Sequence, residues 1–294
     1  MKKRGEFNRR KMLLLGALSL GGCAISTTNN RTADRRSKPA TAPSKGRGKA
    51  AAKAEFTREF IASGASFRYS PHPAHGREWN STLESGYKSF RSDPRVGYAV
   101  QNLRTGRYLA EHNADELKSG GSMPKPALSA IVLERYKGKL SRENFMHIVK
   151  VCDKSINASW RALNTLYTIE DERAFLRKYN LPHSAILGNA QSPRFYCEFF
   201  RRCVNYQLDY GNELLLEAMR RAQYGRGRWY LPRSISYIGG KTGTFNDWKH
   251  EGLWFNKGGT PYAIVVYTKD YFGRGENYWK MGALFGGLYR QYVA

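Results

Sequence analysis

Acidic residues are scarce in this 294-residue chain. There are 24 Asp and Glu against 49 Lys and Arg, giving a formal net charge of +25. Cysteine is scarcer, at four, and no Cys/His spacing matches a metal site, so neither a structural metal nor any cofactor is implied. No internal repeat is visible, which argues against a solenoid. The longest N-terminal apolar run, Met12 to Leu20, is too short to span a bilayer in the usual way. What is present is a 41% hydrophobic composition, enough for a sizeable core in one large domain or two small ones.

The positive charge is unevenly spread. Residues 1–58 hold 15 Lys/Arg and 3 Asp/Glu, a net of +12. Arg9-Arg10-Lys11 followed by the apolar run has the layout of an export signal. The run closes on Leu20-Gly21-Gly22-Cys23, which resembles a bacterial lipobox. The resemblance implies cleavage before Cys23 and lipidation of its sulfur, hence a membrane-anchored protein of the cell envelope facing the periplasm. An ordinary signal peptide with an incidental cysteine is the alternative. The paired arginines partly match a twin-arginine signal. Ala24 is not the Asp associated with inner-membrane retention, which in a Gram-negative cell tilts toward the outer membrane.

Residues 24–54 carry almost no large apolar side chains and read as a disordered basic linker. They are either a solvated, self-repelling tail or an arm drawn to anionic lipid headgroups or envelope polymers. Nucleic acid is the poorer fit, because the start of the chain argues for export. The division expected is therefore signal segment 1–23, linker 24–54 and folded domain 55–294.

Within that domain, apolar spacing predicts a helix over 81–91, a hairpin of strands over 96–103 and 107–111, and a largely buried helix from Ser122. Ser122 falls in that helix's first turn, where Pro124 and Pro126 are tolerated. Further helices are expected from Ser141 to Lys154, Ala158 to Tyr167, Thr168 to Tyr179, Pro193 to Tyr206 and Asn212 to Gln223. Residues 183–192 read as a loop. Three strands then follow, Tyr237 to Thr244, His250 to Asn256 and Tyr262 to Lys269, and a closing helix runs from Asn277 to Val293. The order predicts an α+β fold: a five-stranded antiparallel sheet flanked by helices, with an inserted helical subdomain and a ligand cleft between the two. Cys197 and Cys203, six apart on one helix, are too far apart to bridge, so any disulfide would use Cys152.

Three short motifs stand in order. Ser122-Met123-Pro124-Lys125 sets a serine hydroxyl beside a lysine at the positive end of a helix. A lysine with a lowered pKa there could take the serine proton. Ser155-Ile156-Asn157 could direct a proton-relay hydroxyl and an amide to the same cleft. Lys241-Thr242-Gly243, with Thr244 next, puts a cation on a strand, where it would hold a substrate carboxylate and help depress Lys125. Gly243 would let a substrate backbone lie close to the strand. Trp229, Tyr230 and Trp248 are candidate cleft-lining aromatics, with core or surface packing the simpler role for each.

Together these motifs resemble the penicillin-recognising serine acyl transferases, the serine β-lactamases and D,D-peptidases of the penicillin-binding protein superfamily. Val96-Gly-Tyr-Ala-Val with Thr105-Gly106, the stretch Ser155 to Leu163, and Ile238-Gly-Gly-Lys-Thr-Gly-Thr add to the likeness, which covers about Arg95 to Ala294. It implies Ser122 as nucleophile, Lys125 as general base and Ser155 as proton relay. Asn157 is implied as a ligand to Lys125 and substrate, Lys241 to Thr244 as a substrate-binding strand, and the amides of Ser122 and Thr244 as an oxyanion hole. Two departures bear on function. Class A β-lactamases carry a glutamate on the loop between the second and third motifs; here His183 to Gln191 holds no acid, and Glu170, Asp171 and Glu172 lie earlier on a helix. Only 33 positions separate Ser122 from Ser155, which implies a trimmed helical subdomain and a cleft open to a polymeric substrate. Ile156 also replaces the family's common acidic or glycine middle residue. The expectation is a D,D-peptidase-like hydrolase acting on peptidoglycan D-Ala-D-Ala peptides and acylated by β-lactams. A working β-lactamase and a non-catalytic envelope-binding lipoprotein on the same fold are the alternatives.

Overall fold

A five-stranded antiparallel sheet divides the core into two layers. This computed structural model describes residues 76–182, 184–222, 225, 227–246, 248–269 and 278–294. The expectations for residues 1–75, including the signal, the anchor and the linker, lie outside them.

Asn80 caps α1 (Ser81–Phe90) by accepting from the Leu83 amide. Strands β1 (Val96–Asn102) and β2 (Tyr108–His112) form the first hairpin. Strands β5 (Ser236–Phe245), β6 (Trp248–Lys257) and β7 (Thr260–Thr268) complete the sheet in the order β2-β1-β7-β6-β5, so β5 is an edge. A two-residue turn joins β6 to β7, with Gly258 and Gly259 at φ 57° and 79°. Glycine takes that left-handed pair without steric cost.

Side-chain alternation feeds both layers. Tyr98, Val100, Leu253, Phe255, Ile264 and Val266 pack against α1 and the closing helix α8 (Tyr278–Tyr292). Ala99, Trp254, Ala263, Val265 and Tyr267 face the helical subdomain. Between β2 and β5 that subdomain runs α2 (Lys125–Arg135), α3 (Arg142–Asp153), α4 (Asn157–Asn164), α5 (Ile169–Lys178), α6 (Pro193–Val204) and α7 (Asn212–Arg220). Helix α2 is buried continuously from Lys125 to Leu133, as its wide apolar face predicts.

Three local expectations are corrected. The helix from Ser122 begins at Lys125, because Ser122 belongs to the turn before it. Helix α4 ends at Asn164, three residues early, where the Thr165 hydroxyl binds the Ala162 carbonyl. The segment expected as a loop over 183–192 contains β4 (Ala190–Gln191), which pairs with β3 (Lys118–Ser119). Cys152, Cys197 and Cys203 are buried free thiols, so none forms the bridge left open by the sequence. Among the described residues no helix is long and apolar enough to cross a membrane.

Candidate active site

The short β3/β4 ladder is what places Ser122. It delivers the chain to Gly120, whose amide donates to the Asn189 carbonyl (2.8 Å), and the Met123 amide then closes a turn on the Gly120 carbonyl (2.9 Å). From α6, the Tyr196 hydroxyl donates to the Met123 carbonyl (2.6 Å). From β6, His250 Nε2 donates to the Ser119 carbonyl (2.6 Å), while its Nδ1 accepts from the Thr268 amide (3.1 Å). These two bonds need the neutral ring, and burial holds its pKa down to about 3. The ring also stacks on Tyr267 with centroids 4.3 Å apart.

Lys125, the first residue of α2, is buried and reaches the three other polar side chains of the first two motifs. Its Nζ lies 3.0 Å from Ser122 Oγ, 3.2 Å from Ser155 Oγ and 2.8 Å from Asn157 Oδ1, and it donates to the Ser155 carbonyl at 2.6 Å. An ammonium has three N–H bonds for these four oxygens. In the neutral amine the lone pair can accept the Ser122 proton while two N–H bonds remain on the Ser155 carbonyl and Asn157. Burial favours that form and lowers the pKa of Lys125 to about 8.

Ser155 links α3 to α4 in the left-handed region, at φ 59°. Such a conformation is costly for a residue with a Cβ and persists only where its surroundings impose it. Here the imposing contacts are the lysine bonds to its carbonyl and hydroxyl. Asn157 opens α4, so its side chain projects from the first turn.

Lys241 approaches from β5. Its Nζ donates to Ser155 Oγ (2.8 Å) and to the Thr242 carbonyl (2.9 Å). It is fully buried, and desolvation followed by the charge of Lys125 lowers its pKa to about 7. The sequence predicted depression of Lys125 by Lys241. Both lysines are buried, and desolvation is the leading cause that lowers each of them.

The strand's other residues divide by alternation. Thr242 reaches the site through its carbonyl, with its side chain on the opposite face, and Thr244 is exposed. Gly243 faces the Ser122 turn, for a reason other than the one expected. A Cβ there would lie 2.0 Å from the Gly120 carbonyl oxygen and 3.0 Å from the Met123 amide nitrogen. The space is taken by this chain, not kept for a substrate backbone. Reciprocally, Gly121 at φ 56° has room only for hydrogen, since a Cβ would lie 2.8 Å from both N and O of Thr244. The backbones that carry Ser122 and Thr244 are thus held in direct contact.

The aromatic candidates separate. Trp229 and Tyr230 belong to a short 3-10 turn packed with α8, on the far layer of the sheet, and do not line this site. Trp248 lies on β6 two residues from His250, their rings in edge contact at 6.2 Å. Two of the three acids of α5 are also engaged. Asp171 closes a capping box with Thr168 and pairs with Arg135, and the buried Glu172 carboxylate accepts from the amides of Ile186 (2.7 Å) and Leu187 (2.8 Å). No cluster of metal-ligating side chains occurs among the described residues. The residues missed by sequence are His250, Tyr196 and the Asn189 carbonyl. They act across long separations, and His250, flanked by Lys249 and Glu251, carries no local signal.

No protein-family model matches the sequence, and no curated protein matches it. Solved structures do. A β-lactamase from Xanthomonas campestris superposes with a TM-score of 0.60 at 17% identity, over 72% of this chain and 98% of the other. A class A β-lactamase from Mycobacterium abscessus gives 0.58 at 17%, over 72% and 98%. An ancestral class A β-lactamase gives 0.56 at 20%, over 71% and 98%. The fold is that of the serine β-lactamases. At this identity the likeness establishes the β-lactamase fold, and the chemistry rests on the residues above.

Proposed function

We propose that this chain is a serine acyl-transfer hydrolase, D,D-peptidase-like, acting on D-Ala-D-Ala peptides of peptidoglycan and acylated by β-lactams at Ser122. The observation that carries the reading is Lys125 Nζ 3.0 Å from Ser122 Oγ, in an environment that lowers its proton affinity. Neutral Lys125 takes the hydroxyl proton as Ser122 Oγ attacks the carbonyl. The amides of Ser122 and Thr244 receive the developing oxyanion at the positive end of α2. Ser155, hydrogen-bonded by both lysines, returns a proton to the leaving nitrogen, and Lys241 holds the substrate carboxylate.

Deacylation is the slow half. Residues 184–189 contain no acid, and both oxygens of Glu172 are taken by backbone amides. An acyl-enzyme therefore lacks a nearby carboxylate to activate water. Intact-protein mass spectrometry after penicillin addition tests this: a lasting adduct, absent in Ser122→Ala, is expected. A transient adduct with rapid cephalosporin turnover supports the β-lactamase reading instead, which draws on the fold shared over 98% of three β-lactamase structures. No adduct, with peptidoglycan still bound, supports the binding lipoprotein. The lipid anchor at Cys23 belongs to the same proposal; fatty-acid labelling lost in Cys23→Ala checks it.

A further inference from the structure

Helix α4 carries Asn157 into the site, yet little holds its first turn in place. The cap position is Ile156, which has no oxygen to accept the unpaired amides there, and no side chain caps this end. Eight residues make a helix too short to persist without tertiary contacts. Of those eight only Ser159 and Leu163 are buried, while Asn157 and Ala158 are exposed, as is Ile156 before them. The Ser159 hydroxyl, in the first turn, lies 3.0 Å from His147 Nδ1 of α3. Ser159 is 3% exposed, so little water competes for this bond. It joins the helices on either side of Ser155, and the Ile156 amide, donating to the Lys150 carbonyl (3.2 Å), adds a backbone tie across the same connection. Glu143, one turn earlier on α3, lies 3.8 Å from His147 Nε2 and completes a Ser-His-acid series. That series is no second nucleophile, because Ser159 is closed to substrate and Glu143 stands out in solvent.

We infer that His147 is a positioning residue for acylation: its bond to Ser159 fixes the first turn of α4 and so keeps Asn157 Oδ1 on Lys125. The inference rests on Ser122 and Lys125 being the acylating pair. Asn157 stands two residues before Ser159 in the same turn, and its Oδ1 is 2.8 Å from Lys125 Nζ. As an acceptor it favours the ammonium. After proton release it orients the neutral amine, so that the lone pair meets Ser122 Oγ, 3.0 Å away. A first turn released from His147 would carry that oxygen off and leave the amine free to rotate.

His147→Ala and Ser159→Ala remove the bond from either end. Each should lower the acylation rate constant at saturating penicillin about ten-fold or more, as expected of misplacement at a reacting centre. Apparent affinity for penicillin should hold, because Lys241 comes from β5. Losing an acceptor also makes Lys125 a weaker base, so the rising limb of the rate–pH profile moves to lower pH. The double variant should be no slower than either single one, since both delete one interaction. His147→Asn, which can set an amide near the Nδ1 position, should recover much of the rate, and His147→Phe, which fills the space without a polar atom, should not. Glu143→Gln should behave as the parent. Thermal melts confirm folding of each variant. NMR titration of isotope-labelled lysine, with Lys125 assigned through Lys125→Met, reads the same shift with no substrate present. A parent that penicillin does not acylate counts against the acyl-transfer reading, whereas a Lys125 titration unmoved in both alanine variants overturns the role of His147. Equal acylation by the parent and both alanine variants, or full activity of His147→Phe, overturns it as well.

Discussion

Lys125 and Lys241 share one hydroxyl. Their ammonium nitrogens lie 3.2 Å and 2.8 Å from Ser155 Oγ, approaching it from α2 and from the sheet edge. Two cations so placed cannot both keep their protons at low cost, and the pair titrates between about pH 7 and 8.

Acylation should carry that signature. Lys125 acts as base only when neutral, so the acylation rate constant with saturating penicillin rises toward pH 8 and then levels. Lys241 attracts a carboxylate only when charged, so apparent affinity for penicillin falls above pH 7. The second-order constant is therefore bell-shaped with its maximum between about 7 and 8. Stopped-flow acylation from pH 5.5 to 9.5 measures it, and a flat profile contradicts the assignment of either lysine.

The same lysines affect stability. Both have folded pKa values below the unfolded value near 10.4, so between pH 7 and 8.5 the unfolded chain binds more protons and stability rises with pH. The limiting slope is about 1.4 kcal/mol per pH unit for each proton. Above about pH 8.5 the sign reverses, because burial raises the thiols of Cys152, Cys197 and Cys203 while the unfolded thiols ionise. Urea midpoints across this range should pass through a maximum, and Lys241→Met should flatten the rising limb.

His250 governs the acid side. The unfolded imidazole protonates near pH 6.5, whereas the buried ring stays neutral to about 3, so its stabilising contribution is lost progressively as pH falls below 6.5. His250→Phe should remove this pH dependence at a cost of about 1–3 kcal/mol at pH 7, from an orphaned Ser119 carbonyl and Thr268 amide. Denaturation of both proteins at pH 5 and 7 checks it.

Gly243→Ala should cost acylation far more than a surface change would. The new methyl would meet the Gly120 carbonyl oxygen at 2.0 Å and must push the Ser122 turn away from β5. A displacement of about 1 Å at the nucleophile is worth on the order of 100-fold in rate. Penicillin acylation kinetics measures the loss, and a variant within two-fold of the parent would show that the turn relaxes freely.

The helices and the three motifs were legible because their signals are local. Ser141 and Thr168 announce helix starts, and Leu83, Tyr87 and Phe90 return at helical spacing. What joins the motifs was not legible. The β3/β4 ladder pairs two residues with two others about 70 positions away, too short for any alternation to register. Gly243 drew attention as an open position on a strand, but the backbone that fills the space is over 120 residues earlier, and no sequence pattern marks that contact. For Trp229 and Tyr230 packing was the simpler of the two roles the sequence offered, and packing is what they do: Tyr230 lies on Gly282 of α8 in the far layer.

The interlock of Gly121 with Thr244 and of Gly243 with Gly120 also limits how this protein can change. Neither glycine accepts a side chain unless the opposing backbone shifts, so the turn and strand drift together or not at all. Variation in what the site accepts is left to positions flanking the fixed frame. Ile156, between Ser155 and Asn157, and Phe245, after Thr244, are both exposed apolar side chains next to the chemistry. Libraries built at 156 and 245 should yield altered selectivity with the fold intact, while libraries at 121 and 243 should return mainly the parent residue.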